Sequence, residues 1–330
     1  MKSIAFFNNK GGVGKTSLVY HLGWSFADEG RRVLLVDLDP QSNLTAMCVG
    51  EERLEALWPE DRPRRTVRGA VQPLVDALGD IEEAHLEPLS NRLSLVPGDI
   101  RLADFEQRLS DAWPRCMDRD PAAFRVFSSI YRMIRAAAEA HEAELVLIDV
   151  GPNLGAINRA SLLAAEYVTV PLAADLFSLQ GLRNLGPTLE QWREGWAERL
   201  QKNPSPQLLL PTGATTPIGY VVMQPALHAG QATRAHERWL RQIPSVYSRQ
   251  ILGREVPPDL GVSDDPACLG VLRHYRSLMP LAQAARKPIF KLTTADGAMG
   301  AHSQAAREVG REIRALGARL LEAIELTEKL

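Results

Sequence analysis

The chain has 330 residues, 45% of them hydrophobic and 24% charged, and a formal net charge of −2. That is a globular composition with enough length to bury a large core, and no apolar run approaches the roughly 18 residues of a membrane span. The N-terminus lacks the charged-then-apolar pattern of a secretory leader, and Cys48, Cys116 and Cys268 form no C-x-x-C pair. A disulfide framework or a zinc site is thereby excluded, and a reducing cytoplasm is the expected setting.

The first predicted strand, Ser3–Asn8, runs into Gly11-Gly12-Val13-Gly14-Lys15-Thr16 and then a predicted helix over Thr16–Glu29, stopped by Gly30. Glycines let a backbone turn its N–H groups inward on an anion, and a helix N-terminus adds its positive dipole end. A lysine and a hydroxyl at positions 15 and 16 suit β- and γ-phosphates and Mg²⁺. The next strand, Val33–Asp37, ends in "VDLDPQSN", which places Asp37 and Asp39 at the carboxyl edge where ligands of open α/β sheets gather. Further strands are expected at Arg92–Val96, Leu145–Asp149, Tyr167–Val170, Leu208–Leu210, Ile218–Met223 and Pro288–Leu292. Further helices are expected at Pro121–Ala140, Arg159–Ala165 and Ala305–Glu328. "VLLVD" and "LVLID" are continuous apolar runs, as parallel strands covered on both faces require. The reading is an α/β fold with a doubly wound, mostly parallel β-sheet flanked by helices on both faces. We expect one domain over 1–330, with insertions around 50–140 and 225–287 and no N-terminal helix-turn-helix module.

The phosphate loop departs from G-x-x-x-x-G-K-[ST]: Asn9 stands where the first glycine belongs, and Lys10 is added in K-G-G-V-G-K-T. In this the sequence resembles the deviant Walker A ATPases, which include ParA and MinD, and is closest to the ParA-like (Soj-like) partition group. The resemblance extends to Asp37-Leu38-Asp39-Pro40-Gln41, to Asp149 at the Walker B position and to the run "AAEYVTVPLAADLFSLQGL". It departs at Gly151, where the family often has proline. It implies a P-loop NTPase that binds ATP and Mg²⁺ and hydrolyses ATP to ADP and phosphate as a nucleotide-sandwich homodimer. By that likeness Lys10, Gly11, Gly12, Val13, Gly14, Lys15, Thr16 and Ser17 hold ATP. Thr16, Asp37 and Asp149 serve the metal. Lys15, Asp39 and, across the dimer, Lys10 carry catalysis. Gln224 and Pro225, at the end of "IGYVVMQP", would read the adenine.

Charge is unevenly placed. Residues 1–182 hold 19 Lys and Arg against 26 Asp and Glu, whereas 183–330 hold 19 against 14. Residues 266–295 have no acid, so Arg273, Arg276, Arg286 and Lys287 are the candidate face for non-specific DNA. The resemblance then implies a cytoplasmic, nucleoid-associated protein partnered by a ParB-like or other adaptor that stimulates hydrolysis. One alternative is MinD-like membrane attachment through Val309, Ile313, Leu316, Leu320 and Ile324, which form an apolar stripe at helical spacing. Glu322, Glu325 and Glu328 oppose that, and we expect the stripe to pack on the core. The other alternative is a metabolic or accessory ATPase on the same fold.

Overall fold

The computed structural model describes residues 1–60, 64–223, 233–257, 259–273, 275 and 278–329, with side chains undescribed at 233–235. Eight strands form one sheet: β1 (Lys2–Phe6), β2 (Val33–Leu38), β3 (Glu87–Ser90), β4 (Leu93–Val96), β5 (Leu145–Val150), β6 (Tyr167–Ala173), β7 (Thr216–Met223) and β8 (Cys268–Leu272). Their order is β3-β4-β2-β5-β1-β6-β7-β8, and every neighbouring pair is parallel except β3 with β4. The helices that place the site are α1 (Lys15–Asp28), α2 (Asn43–Cys48), α3 (Phe105–Arg115), α4 (Pro121–Phe127), α5 (Ser129–Ala140), α6 (Ala156–Ala164), α7 (Leu176–Leu200), α8 (Leu278–Ala285) and α9 (Ala301–Glu328).

The central strands are apolar throughout because both faces are covered. Alternate residues feed two cores. Ile4, Phe6, Leu145 and Leu147 join Leu18, Leu22 and Phe26 of α1 and Val309, Ile313 and Leu316 of α9. Ala5, Phe7, Val146 and Ile148 join Phe105 and Leu109 of α3, Ile134 of α5, Leu163 of α6 and Leu182 of α7. The α9 stripe is thus core, as expected.

Several elements differ from expectation. Leu208–Leu210 is irregular chain rather than strand, and Pro288–Leu292 holds a 3₁₀ turn, Ile289–Lys291, whose Ile289 plugs the α1–α9 core. A short apolar run does not by itself distinguish these outcomes. Two strands went unseen. Pro88 and Gly270 are poor strand residues, but Pro88 lies at the sheet edge, where no ladder donor is required, and Gly270 lies under Leu316 of α9. The stretch Pro121–Ala140 breaks at Ser128 into α4 and α5. α7 holds Gly181, Gly186 and Pro187, residues that disfavour a helix interior, and was not among the expected helices. Asp175 caps it by accepting from Ser178 N–H at 2.9 Å, and Gly186 admits the backbone of Gln250, whose carbonyl oxygen would lie 1.7 Å from a Cβ there.

Candidate functional site

At the carboxyl end of β1 the chain turns through Gly12 (φ 72°) and Gly14 (φ 88°), left-handed conformations that favour glycine, and enters α1 at Lys15. A Cβ on Gly14 would also collide with Met223 Cε at 2.9 Å. The loop lines a cavity of about 540 Å³ together with Asp39, Asn43, Met47, Pro152 and Gln283. Asn8 pins its entry, donating to Pro171 O (2.6 Å) and accepting from Lys10 N–H (2.9 Å).

Lys15, 6% exposed, puts its ammonium 2.5 Å from Asp149 Oδ1 and 4.0 Å from Asp39 Oδ2. Asp149 is fully buried, and burial raises its pKa against the opposing pull of Lys15 and of the Thr16 hydroxyl. Its Oδ2 has no hydrogen-bond partner among the described residues. A free buried carboxylate oxygen behind the Thr16 hydroxyl that lines the cavity fits magnesium, a cation that takes one or two protein oxygens and completes its shell with water and phosphate. Among the described residues no three His, Cys, Asp or Glu side chains are grouped to hold a metal by themselves.

Asp39 faces the cavity, its Oδ1 accepting from Gln41 N–H at 3.0 Å. Asp37 does not line it. Its Oδ2 accepts from Thr45 N–H (2.8 Å) and Thr45 Oγ1 (2.6 Å), bracing α2 against β2. Burial, then the charge of Asp149, pushes its pKa up to about 7. Asp37 and Asp149 are both fully buried and neither lines the cavity; Thr45 engages Asp37, whereas Asp149 keeps an unpaired oxygen beside Lys15.

Lys10 points away from Lys15. Its ammonium contacts Asp175, the cap of α7, and lies 6.0 Å from the ring centre of Phe177. Phe177 is 71% exposed and Leu176 48% exposed. α7 comes this close to the loop because Gly181 has no side chain: a Cβ there would lie 2.2 Å from Asn9 Oδ1.

Asn158 was not singled out from sequence. Its Nδ2 donates to Gly151 O (2.8 Å) and Asn153 O (2.7 Å), holding the loop after β5, and Glu106 of α3 accepts from the N–H groups of Ala156 and Ile157 (2.9 Å). At position 151 the clamp acts on the main chain of a glycine. Its only signal was a polar residue inside an apolar helical run.

Gln224, Pro225 and Arg276 lie outside the described residues; β7 ends beside Gly14 through Met223. Among the described residues of the basic stretch, three cations have acidic partners. Lys287 pairs with Asp296 (2.8 Å), Lys291 with Asp28 (2.6 Å) and Arg273 with Glu312 (3.8 Å), while Arg286 is exposed against Gly50.

The profile of the AAA_31 family, described as an AAA domain, matches residues 1–202. The chromosome partitioning protein ParA of Caulobacter vibrioides is 33% identical over 207 residues, covering 61% of this chain and 67% of that protein. The chain belongs to the ParA/MinD-type partition ATPase family. Protein IncC of Escherichia coli is 27% identical over 328 residues, 99% of this chain and 71% of that protein. The chain thus spans roughly two thirds of the length of these family members. Protein DIP2308 of Corynebacterium diphtheriae shares the fold, with a TM-score of 0.71 at 24% identity over 98% of this chain and 99% of that one. A plasmid partition protein of Borrelia burgdorferi, solved with AMPPNP, aligns with a TM-score of 0.56 at 17% identity over 97% and 98%. Cobyrinic acid a,c-diamide synthase of Mycobacterium smegmatis, solved with ADP and magnesium, aligns with a TM-score of 0.50 at 25% identity over 74% and 81%.

Proposed function

We propose that this family member is an ATPase that closes into a nucleotide-sandwich homodimer, hydrolyses ATP slowly, and uses the cycle to partition DNA or position cargo on it. The observation that carries this reading is the placement of Lys10. Its ammonium sits at the rim of the cavity, beside the exposed Leu176 and Phe177, while Lys15 serves the interior. A cation on the rim among exposed apolar groups supports contact with a second copy.

In this reading the loop N–H groups and Lys15 bind the β- and γ-phosphates of ATP, with Lys15 leaving Asp149 for them. Thr16 and Asp149 would hold magnesium, which when bound draws charge from those phosphates. Asp39 orients the attacking water from the cavity wall. Lys10 leaves Asp175 for the partner's phosphates and offsets charge that builds up during transfer. The family likeness supports non-specific DNA as a partner, an adaptor that stimulates hydrolysis, and a cytoplasmic, nucleoid-associated location. No helix among the described residues is long and apolar enough to cross a membrane.

Sedimentation with ATPγS or ADP tests this. The wild type is expected to dimerise with ATPγS only. Lys10→Ala is expected to bind nucleotide within about threefold of wild type yet stay monomeric and lose turnover, since it removes a contact made only in the dimer. A Lys10→Ala protein that dimerises and turns over normally would overturn the trans role.

A further inference from the structure

We infer that the outer face of α9 is a nucleic-acid backbone site, formed by Arg307, Arg311 and Arg314 over a groove of about 730 Å³ floored by Phe290, Gly300 and Gly310. This rests on the partition reading above, and moves its DNA contact from the 266–295 stretch to α9.

The three arginines recur at i, i+4 and i+7 and so stand in one row, opposite the buried stripe Val309, Ile313, Leu316 and Leu320. All three are exposed. Arg311 approaches Glu308 only at 4.0 Å, and neither Arg307 nor Arg314 has an ion-pair partner among the described residues. Arg307 has a single long contact, 3.3 Å to Ser303 Oγ. In the 266–295 stretch, by comparison, Lys287 and Lys291 are engaged at 2.8 and 2.6 Å, while the exposed Arg273 reaches Glu312 only at 3.8 Å and Arg286 stands exposed, residues that form no such row on one helix.

At 1.5 Å of rise per residue the row is about 10 Å long, which spans about three charges of one DNA strand at roughly 3.4 Å each. Guanidinium groups bind phosphate oxygens in pairs. Along the row Ala315 and Ala318 are exposed and small, and Gly310 and Gly300 have no side chain, so a bulky backbone meets no obstruction. A membrane is a poorer fit: beside this groove only Met299 exposes a large apolar side chain among the described residues. With a net charge of −2 the chain has no general attraction for polyanions, so binding must come from a local face such as this one.

The test is fluorescence anisotropy with a random-sequence duplex of about 40 base pairs, with ATPγS, between about 50 and 200 mM salt. Arg307→Gln/Arg311→Gln/Arg314→Gln is compared with wild type and with the control Arg273→Gln/Arg286→Gln, and sedimentation follows dimerisation in the same samples. The triple variant is expected to dimerise normally, to bind duplex at least tenfold more weakly, and to show a log–log salt slope flatter by about 3 per protomer. The control is expected to keep most of the wild-type affinity. Equal affinity and slope in the triple variant would overturn the assignment. So would the absence of duplex binding by a wild type that dimerises, displacement of duplex by millimolar inorganic phosphate, or arginine-dependent sedimentation with phosphatidylglycerol vesicles but not with duplex. A wild type that fails to dimerise with ATPγS would instead overturn the sandwich reading, and the salt slope of whatever duplex binding remains would still decide the α9 face.

Discussion

The ammonium of Lys15 and the carboxylate of Asp149 are out of water together, and each is the other's main compensation. Removing one partner of such a pair costs about 3–5 kcal/mol, because the charge left behind is buried and alone. Lys15→Ala is therefore expected to abolish ATP binding and also to lower the unfolding free energy in urea by about 3 kcal/mol. Adding Asp149→Asn should recover most of that stability without any recovery of nucleotide binding. If the double variant is no more stable than the single one, the pair is not what holds this corner together. The aspartates divide by orientation: Asp39 looks into the cavity, whereas two donors of Thr45 hold Asp37 to the start of α2. Residue type and strand position made both visible in the sequence. Which one faces the ligand depends on the path of the chain after Pro40, and no local pattern records that.

At the scale of elements, the loop after β5 is governed by α6. Asn158 spans two carbonyls of that loop, and Glu106, from a helix some fifty residues earlier in the chain, holds the first turn of α6. Asn158→Ala leaves the buried carbonyl of Gly151 short of a donor, at about 1–3 kcal/mol before relaxation, and frees the part-buried carbonyl of Asn153. The expected outcome is a turnover number reduced about tenfold with the affinity for ATP within threefold, because the loop borders the phosphates without forming their cradle. An equal loss in both, measured by steady-state kinetics and nucleotide titration, would show that the clamp serves binding. The sequence displayed the phosphate loop because its parts are consecutive and every one is chemically necessary. It concealed the clamp because Asn158 acts on main-chain oxygens, which look alike in any sequence. The same logic accounts for β3, β8 and α7: proline and glycine mark breaks only where the chain must donate a hydrogen bond or fill space, and at Pro88, Gly270 and Gly186 it does neither.

For the whole molecule, the two ends of the chain meet on one face of the sheet. His21 of α1 is buried, with Nδ1 2.6 Å from Ser17 O and Nε2 accepting from Ile289 N–H at 3.1 Å, so the neutral Nδ1–H form joins α1 to the segment ahead of α9. Burial lowers its pKa to about 4. The unfolded chain therefore takes up this proton first, near pH 6.5, and the stability His21 contributes above that value is lost as pH falls toward 4. His21→Leu is expected to make the decline in unfolding free energy from pH 7.5 to 4.5 shallower by roughly 2–3 kcal/mol, read from urea titrations at each pH. An unchanged slope would mean that His21 is not buried neutral. Charge was legible in the sequence only as a tally along the chain; folding brings Asp28, Asp296 and Glu312 onto the basic stretch and leaves the arginines of α9 with a single ion pair, Arg311 to Glu308 at 4.0 Å, among the described residues.

α7 is a rod of 25 residues, about 37 Å long, and its two ends are held very differently. The far end is riveted: the Trp196 indole donates to Pro211 O at 2.9 Å, and Arg199 donates to Trp113 O at 2.7 Å while stacking on the Trp113 ring. Arg159 of α6 stacks on that same ring at 4.2 Å. The near end is held by its cap, Asp175, against Lys10, by Ala173 N–H donating to Ser178 Oγ at 3.1 Å, and by Leu179 and Leu182 buried in the core. Between the ends Gly186 lies tight against the backbone of Gln250, so the rod is seated along its length. Release of Lys10 from Asp175 therefore falls to the lysine's own flexible four-carbon stem, with the helix left in place.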